Sequence, residues 1–456
     1  MPTAACTLRH KHLPSTLNPS TLNPLNSLSP LNPCPLLSRK VVFTFLLLFI
    51  QTLSAQVTAP SQTGRAGGES KDIITVSGLI VDRQTHQPLA HVSVVGGQVG
   101  TVTNDQGRFS LKISPQTKTL TVSLIGYQSC NVNVEADGQE LKIQMQPLAV
   151  TLNEIIVRSV SAGDIVRAAI NRFNHNYSLN STSYKGFYRE VIQKRRQFLS
   201  ISEAVVQLYK TPYDRNILFD AVSILRGRRM MNMKAKDTLA VKLRGGPTLP
   251  IFADVVKNDE FLFYEDDLSC YRYEYIGDER LDDRVHYVIR MIPDGDKPYA
   301  LFFATLYIDK KSLAISRADL RLDMANRSKA TSTMLIHRPS GLHFTPQELT
   351  FNIYYRTEDG VTYLNYVRNE MRFKCDWRRR LFASSFTVVS EFVVTDILHD
   401  AKPIRGRDSF RRNANLYDNV DFFSDPDFWG ADNIIEPTEP LNRAVERLKR
   451  TLSNIR

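Results

Sequence analysis

The chain has 456 residues, of which 42% are hydrophobic and 23% are charged. This length and composition indicate two globular domains with additional segments and exclude an intrinsically disordered chain. Its formal net charge is +11, but four basic and no acidic residues precede Gln56, so the rest is only mildly basic and its charge does not predict nucleic-acid binding.

The first residues predict a targeting segment instead of part of the fold. Residues 1–38 are a low-complexity preface in which Ser-Thr-Leu-Asn-Pro recurs from Ser15 and Ser20; a translation start further along the chain is the alternative. Residues 39–55 combine a basic pair, a short apolar run and small exit residues, which predicts a secretory signal peptide cleaved after Ala55. A retained membrane anchor is the alternative interpretation. We therefore expect an exported protein that is periplasmic or associated with the outer membrane.

Short strands and turns follow the flexible leader at residues 56–71. Over residues 72–146, apolar residues alternate with polar ones, and Gly, Pro, Asn and Asp separate the runs. This pattern predicts a small antiparallel β-sandwich. The predicted strands centre on Leu79–Val81, Val92–Val95, Phe109–Ile113, Leu120–Leu124 and Val132–Val134.

The same stretch contains four short motifs. They are G-x-[IV]-x-D at Gly78–Asp82, P-L-x-x-V-x-V at Pro88–Val94, T-x-x-x-G-x-F at Thr103–Phe109 and I-G-Y at Ile125–Tyr127. On these motifs the stretch resembles the carboxypeptidase-like regulatory domain, which is widespread at the front of Bacteroidetes envelope proteins. The resemblance implies a prealbumin-like sandwich and an envelope location, and it implies no activity.

Residues 147–160 are predicted to be a linker. They contain one apolar run, Ile155–Val157. The surrounding L-N-E-I-I-V element resembles the strand that follows this domain in large TonB-dependent envelope receptors. A plain connecting strand is the alternative.

Residues 161–400 predict a second and larger domain. Ser161 is placed to cap a helix whose apolar residues, from Ile165 to Phe173, share one face. From Tyr184 to about Leu398, strands rich in β-branched and aromatic residues follow one another with hairpin signals between them. We expect one large curved antiparallel sheet, half-barrel-like, with a few helices. The predicted fold class is therefore mainly β.

Three further motifs belong to this region and its continuation. Y-I-D-K-K-S-L-A-I at Tyr307–Ile315 is similar to a β-turn-β unit of periplasmic lipoprotein-carrier sheets. G-F-Y-R-E at Gly186–Glu190 and F-W-G-A-D-N-I-I-E-P at Phe428–Pro437 resemble uncharacterised Bacteroidetes proteins with the same front domain. That resemblance implies no activity.

Residues 401–456 are predicted to be a polar loop followed by an amphipathic helix. Pro440 opens the helix, and apolar residues recur at intervals of four and three from Leu441 to Ile455. The helix also carries several basic residues. It either docks on the sheet or contacts a partner or a membrane surface.

The sequence predicts no catalytic, cofactor-binding or metal-binding residue. A zinc carboxypeptidase would need a pair of ligands spaced as H-x-x-E, and no histidine of the mature chain has Glu three residues later. Acidic groups, such as those at Glu265–Asp267 and Asp282–Asp283, are interpreted as solvated hairpin tips. Cys130, Cys270 and Cys375 are interpreted as buried, inert thiols. We therefore predict that the protein is not an enzyme and has no cofactor.

Clusters of arginines are the candidates for contact with anionic lipid or lipopolysaccharide headgroups. Each cluster is placed at a turn between strands, where solvated tips are the alternative. The candidate contacts are Arg226, Arg228, Arg229, Arg378, Arg379 and Arg380.

The leading hypothesis is a non-catalytic envelope protein that docks through its sandwich and uses its sheet to bind a partner or an apolar ligand. The alternative is a periplasmic lipid or lipoprotein carrier. A continuous apolar face of the sheet, left uncovered by the Ile165–Phe173 helix, would favour it. A hydrolase with an unrecognised site among the acidic groups is the second alternative. The expected partner is an envelope protein or lipid, without nucleic acid.

Overall fold

The computed structural model describes residues 73–135, 138, 140–148, 161–231, 242–243, 246–281, 284–337, 340–377, 383–398, 401–412, 414–422 and 428–453. The predicted preface, signal peptide and leader lie outside these residues, as does the linker from residue 149 to residue 160. The described part is mainly β, with a curled antiparallel sheet and a small separate sheet at the front, which confirms the predicted fold class.

The front of the chain folds as two facing sheets. One has the strand order β4-β1-β7 and the other β3-β2-β5-β6. Alternate apolar residues of both sheets, including Val76, Val94 and Leu111, are buried between them. Gly107 has φ +72° and a side chain there would meet the Ile80 carbonyl oxygen at 2.5 Å, so the turn before β4 requires glycine. The strands are β1 (Ile74–Asp82), β2 (Ser93–Gly96), β3 (Val99–Val102), β4 (Arg108–Ile113), β5 (Thr119–Ser123), β6 (Cys130–Asn133) and β7 (Glu140–Met145).

The larger region is built on one antiparallel sheet with the order β12-β13-β14-β15-β17-β18-β19-β8-β9-β10. At its edge β20 pairs with β10 in parallel, and a single bridge between Asp396 and Val99 joins β19 to β3 of the front region. The strands are β8 (Thr182–Lys194), β9 (Gln197–Lys210), β10 (Ala221–Met231), β11 (Lys242–Leu243), β12 (Tyr271–Leu281), β13 (Arg284–Pro293), β14 (Phe302–Asp309), β15 (Ile315–Leu322), β16 (Leu335–His337), β17 (Leu342–Glu358), β18 (Val361–Trp377), β19 (Ser384–Leu398) and β20 (Asp421–Phe422).

Helices are short except near the end of the chain. The side chain of Ser161 accepts from the Asp164 amide at 3.1 Å, so Ser161 caps α1 as predicted. Leu441 and Ala444 of α7 are buried against the sheet, so α7 docks on it. The helices are α1 (Ala162–Ile170), α2 (Phe173–Asn176), α3 (Leu249–Phe252), α4 (Asp259–Leu262), α5 (Glu265–Leu268), α6 (Arg327–Met334) and α7 (Glu439–Ser453).

The large sheet is buried on both faces because its strands alternate two apolar sets. Along β8, Tyr184 and Tyr188 point into the core that contains α3, α4 and α5. Phe187, on the opposite face, packs with Val102 of the front region and with Trp429 near the end of the chain. One face of the sheet therefore carries short helices and the other carries the front sheets.

Residues 428–436 connect the front region to the large sheet. Asn433 accepts from the Lys112 amide at 2.7 Å and donates to the Lys112 carbonyl oxygen at 3.0 Å. The Ile434 carbonyl oxygen accepts from Thr101 at 3.0 Å. The carbonyl oxygen of Ile435 accepts from Arg189 of β8 at 2.8 Å. This connecting segment thus binds β3 and β4 on one side and the large sheet on the other.

We expect Asn433→Ala to loosen the contact between the connecting segment and β4. It removes both hydrogen bonds with the Lys112 backbone, which lowers the free energy of unfolding by about 1–3 kcal/mol and accelerates hydrogen exchange in β4. Asn131→Ala is the control, because the Asn131 side chain accepts from an exposed Thr121 hydroxyl and loss of this bond should change stability by about 0.5 kcal/mol or less. Equal effects of the two substitutions would contradict the role of the connecting segment.

Candidate functional site

One face of the large sheet is a continuous apolar surface. Directly paired residues of seven neighbouring strands form a row across it, and every member is fully buried. A row of this kind is what a curved sheet needs to hold an apolar chain or to bury a core. The members, in strand order from β13 to β8, are Ile289, Leu306, Ala318, Ile353, Val367, Phe392 and Tyr188.

Three helices of four residues each lie against this surface. We call residues 249–268, which contain α3, α4 and α5, the cover. Phe261 of the cover lies 5.2 Å from Phe302 and 5.0 Å from Phe351, measured between ring centroids, and both partners belong to the sheet. Helices this short are not stable by themselves in water. The cover therefore depends on its contacts with the sheet.

The first of two buried ion pairs ties the cover to the sheet. Asp254, just after α3, lies 2.5 Å from the ammonium of Lys210, measured from Oδ2 to Nζ, and the two side chains are 0% and 1% exposed. Tyr213 donates to the same carboxylate oxygen at 3.0 Å, and Tyr355 of β17 donates to the other at 2.8 Å. Three donors thus satisfy a carboxylate that would otherwise be very costly to bury.

The second ion pair lies one turn further along the cover. Lys257 Nζ is 2.6 Å from Asp220 Oδ1, and both side chains are 0% exposed. Lys257 also donates to the Thr211 carbonyl oxygen at 2.5 Å, while Asp220 accepts from the Thr211 amide at 2.9 Å. Burial, together with the nearby Lys210 ammonium, lowers the pKa of Lys257. The pair therefore anchors the cover to the loop between β9 and β10.

The tyrosines around Asp254 act as fixed hydrogen-bond donors. Burial and the Asp254 charge raise the pKa values of Tyr213 and Tyr355 well above the ordinary value, so both hydroxyls keep their protons. The ring of Tyr177 lies 5.1 Å from that of Tyr213, between centroids, and the pKa of Tyr177 is raised for the same reasons. Such a cluster orients and holds groups. It offers neither an ionised nucleophile nor a base in contact with solvent.

The sequence does contain a signal for this cluster. Residues 250–257 read Pro-Ile-Phe-Ala-Asp-Val-Val-Lys, so one acidic and one basic residue stand within an apolar run. Charges in such a run are either exposed or paired. The partners Lys210 and Asp220 are 44 and 37 residues away along the chain, and sequence spacing could not identify them.

The arginines predicted at the turn before Met230 lie within strand β10 instead, so the expected turn was wrong. Arg226 donates to the Phe428 carbonyl oxygen at 2.7 Å. Arg228 lies 2.8 Å from Glu203 and 4.6 Å from the Trp429 ring centroid. All of these groups belong to this chain, and contact with anionic headgroups stays a prediction.

Four further arginines complete the predicted set. Arg229 donates to the Tyr417 carbonyl oxygen and lies 4.6 Å from the Phe422 ring centroid. Arg378, Arg379 and Arg380 lie outside the described residues. The structure therefore shows what three of the six candidates contact within the chain.

Glu203 is held between two arginines. Its Oε1 is 2.7 Å from Arg189 and its Oε2 is 2.8 Å from Arg228. Burial alone would raise its pKa, but the two guanidinium groups outweigh burial and lower it. Because Arg189 also binds the Ile435 carbonyl oxygen at 2.8 Å, this buried charge cluster supports the connecting segment.

A cleft of about 260 Å³ lies between the front region and the large sheet. Ser316 lines it and lies 2.9 Å from His286 Nε2. His286 is paired across the strands with Asp309, and burial lowers the pKa of the imidazole. These are the residue types of a hydrolytic triad. Ser316 is only 3% exposed, however, so a substrate carbonyl does not reach its hydroxyl in this conformation.

The structure also locates cysteines and acidic residues that were considered as catalytic or metal-binding groups. Burial raises the pKa of Cys130, and that of Cys375 to about 11, so these thiols stay protonated at neutral pH. Asp267, expected at a hairpin tip, belongs to α5 and pairs with Lys297 at 2.8 Å. Asp282 and Asp283 lie outside the described residues. Across those residues we find no three-residue cluster able to hold a metal ion and no helix long and apolar enough to span a membrane.

Comparison with known proteins identifies the front region. Residues 76–157 match the family described as the CarboxypepD_reg-like domain. The chain therefore carries this domain, as its motifs predicted. Among curated proteins, none matches the chain.

Solved structures similar to this chain share little sequence with it. A putative outer membrane lipoprotein-sorting protein domain from Vibrio parahaemolyticus is 11% identical over 54% of this chain and 97% of its own, with a TM-score of 0.25. A LolA superfamily protein from Nitrosomonas europaea is 12% identical over 53% and 98%, with a TM-score of 0.18. A putative membrane-associated protein of unknown function from Bacteroides fragilis is 9% identical over 71% and 97%, with a TM-score of 0.14. With TM-scores this low, none of them carries an inference for this chain.

Breaking the first ion pair should destabilise the protein strongly. We expect Asp254→Leu to lower the free energy of unfolding by about 3–5 kcal/mol, because it leaves the Lys210 ammonium buried without its counter-charge. The double variant Lys210→Met/Asp254→Leu should be more stable than Asp254→Leu alone, since it removes both charges. Urea denaturation measures both effects.

Arg443→Ala is the control for this pair, because Arg443 and Glu439 form an ion pair with side chains 70% and 67% exposed. Its loss should change stability by about 1 kcal/mol or less. If the double variant were less stable than Asp254→Leu, the two charges would not be coupled as the structure indicates.

The pH dependence of stability should report on Glu203. Because its pKa is lowered from 4.5 in the folded protein, its stabilising contribution is complete above that pH and is lost as the pH falls through the folded-state pKa. The stability difference between the unsubstituted chain and Glu203→Gln should therefore be constant above 4.5 and shrink below it. Denaturation midpoints over a pH series measure the difference. Glu140→Gln is the control, because the ion pair of Glu140 with Arg108 is exposed; its stability should hardly differ from that of the unsubstituted chain. If the stability difference for Glu203→Gln did not depend on pH, the lowered pKa of Glu203 would be contradicted.

Proposed function

We propose that this chain, with its CarboxypepD_reg-like domain at residues 76–157, is a non-catalytic exported envelope protein that binds a partner or an apolar ligand through its curved sheet. One observation carries the proposal. On the apolar face of the sheet, three helices of four residues each are held in place by two buried ion pairs, and α1 and α6 pack into the same core. An apolar surface with a cover of this kind is suited to binding, because the cover can be exchanged for a ligand.

A lipid or lipoprotein carrier is the more specific candidate. The paired row from Ile289 to Tyr188 crosses seven strands, which at about 4.8 Å per strand spacing makes a surface roughly 29 Å wide. An acyl chain has a comparable length and matching chemistry. The helix α1 lies against β12, where Gly163 faces the Tyr273 ring. Val166 and Ala169 of α1 are buried in the same core as the row, so α1 does not leave this face uncovered, and a ligand would have to displace the cover.

A ligand can bind the apolar face only by replacing the cover, so its own burial must offset the packing that the cover loses. A ligand beneath the cover gains the burial of its methylene groups, about 0.8 kcal/mol each. It must offset the lost packing of residues such as Phe261, whose burial is worth about 1.5–3 kcal/mol. Only a long apolar chain provides enough methylene groups to do so. The proposal therefore predicts a long acyl chain in preference to a short one.

We test this by native mass spectrometry of the exported chain isolated from envelopes, followed by titration with a fluorescent long-chain fatty acid. We expect a co-purified lipid or a saturable signal with the fatty acid. Phe261→Ala weakens the packing of the cover against Phe302 and Phe351, so it should raise the affinity several-fold.

Phe386→Ala is the matched control. Phe386 is a buried aromatic residue that stacks on Phe373 at 5.5 Å between ring centroids, and it is not part of the cover. Its loss should lower stability to a similar degree without raising the affinity for the fatty acid. If neither the unsubstituted chain nor Phe261→Ala bound lipid, the carrier would be excluded and a protein partner would remain.

A further inference from the structure

The loop between β9 and β10 ends in an exposed apolar tip. Leu218 and Phe219 are 71% and 68% exposed, the highest values among the exposed large apolar residues of the described chain. Leu179, on a neighbouring loop, is 51% exposed. The two loops meet where the Tyr213 amide donates to the Ser178 carbonyl oxygen at 3.0 Å. Apolar side chains are rarely this exposed without a binding role when they gather at one place.

The tip is held in one shape by its own hydrogen bonds. Asn216 accepts from the Leu218 amide at 2.8 Å. At the base of the loop, Asp220 accepts from the Thr211 amide at 2.9 Å and from its hydroxyl at 2.8 Å. The apolar side chains are thus presented by an ordered loop, which lowers the entropy lost on binding.

Basic residues lie within the loop and in the segment that contacts it. Arg412 donates to the Ile217 carbonyl oxygen at 2.6 Å, so Arg412 lies beside the loop. The Phe410 amide also donates to the Val222 carbonyl oxygen of β10 at 2.6 Å. Residues 214–219 and 402–412 together contain six basic and two acidic residues, and all eight are exposed. The basic ones are Arg215, Lys402, Arg405, Arg407, Arg411 and Arg412.

We propose that this tip and its basic surroundings dock the protein on the surface of an anionic lipid membrane. Leu218 and Phe219 would enter the boundary between headgroups and acyl chains, and the arginines would contact headgroup phosphates. An apolar tip beside basic residues fits this partner, because an anionic membrane has an apolar interior beneath negatively charged headgroups. The surface is separate from the apolar row under the cover, and it does not require that the sheet bind a ligand.

Sedimentation with lipid vesicles tests the proposal. The chain from residue 56 to residue 456, as expected after signal cleavage, is mixed with vesicles of phosphatidylcholine, with and without phosphatidylglycerol. We expect binding to the vesicles that contain phosphatidylglycerol, weakened by added salt. Leu218→Ser/Phe219→Ser should lower the bound fraction by about tenfold or more, because it removes the apolar contact. Arg215→Gln/Arg411→Gln should reduce the preference for phosphatidylglycerol.

Two control variants carry comparable substitutions elsewhere. Leu225→Ser changes an apolar residue that is 52% exposed on β10, and Arg83→Gln/Lys142→Gln changes two exposed basic residues of the front region. Both should bind vesicles like the unsubstituted chain, and thermal unfolding verifies that every variant is folded. Unchanged binding by the tip variant, an equal loss in the controls, or no binding by the unsubstituted chain would overturn the proposal. Native mass spectrometry of the same samples reports separately on the ligand under the cover.

Discussion

The position of the cover over the large sheet depends on two carboxylates and two ammonium groups. All four side chains are at most 1% exposed. Asp254 and Lys257 bring the cover to Lys210 and Asp220, which frame the loop between β9 and β10. Buried pairs of this kind stabilise a fold little compared with an apolar core, but they penalise any arrangement in which a partner is missing. The cover therefore has one position in which its charges are satisfied, although its helices are too short to be stable alone. The same four side chains therefore hold the cover in one position over the apolar face.

Asp220 links this cluster to the outside of the molecule. One oxygen of its carboxylate binds Lys257 of the cover and also the Thr211 groups that form the base of the exposed tip. On the other face of the sheet, Arg189 likewise binds two groups at once, the Glu203 carboxylate and the Ile435 carbonyl oxygen of the connecting segment. In both places a buried charge helps to hold a segment against the large sheet.

The sequence alone predicted the parts of this fold that rest on local patterns. Alternating apolar residues located most strands, and Ser161 correctly marked the start of α1. The arginines of β10 were placed at a turn because four neighbouring residues are basic or glycine; in the structure Glu203, Trp429 and the Phe428 carbonyl oxygen satisfy them within a strand. The cover was missed because four-residue helices have no periodicity to detect. Its partners Lys210 and Asp220 are distant in sequence, so only the folded chain brings the charges together.

Hydrogen exchange of the ligand-free protein tests most directly whether the cover is a separate element over a binding surface. The account predicts that amides of residues 249–268 exchange together and faster than those of β14 and β17, because the cover opens without global unfolding. Adding a long-chain fatty acid should then change exchange in residues 249–268 first. If these amides exchanged only as slowly as the central strands, with or without the fatty acid, the cover would be an inseparable part of the core and the account would be contradicted.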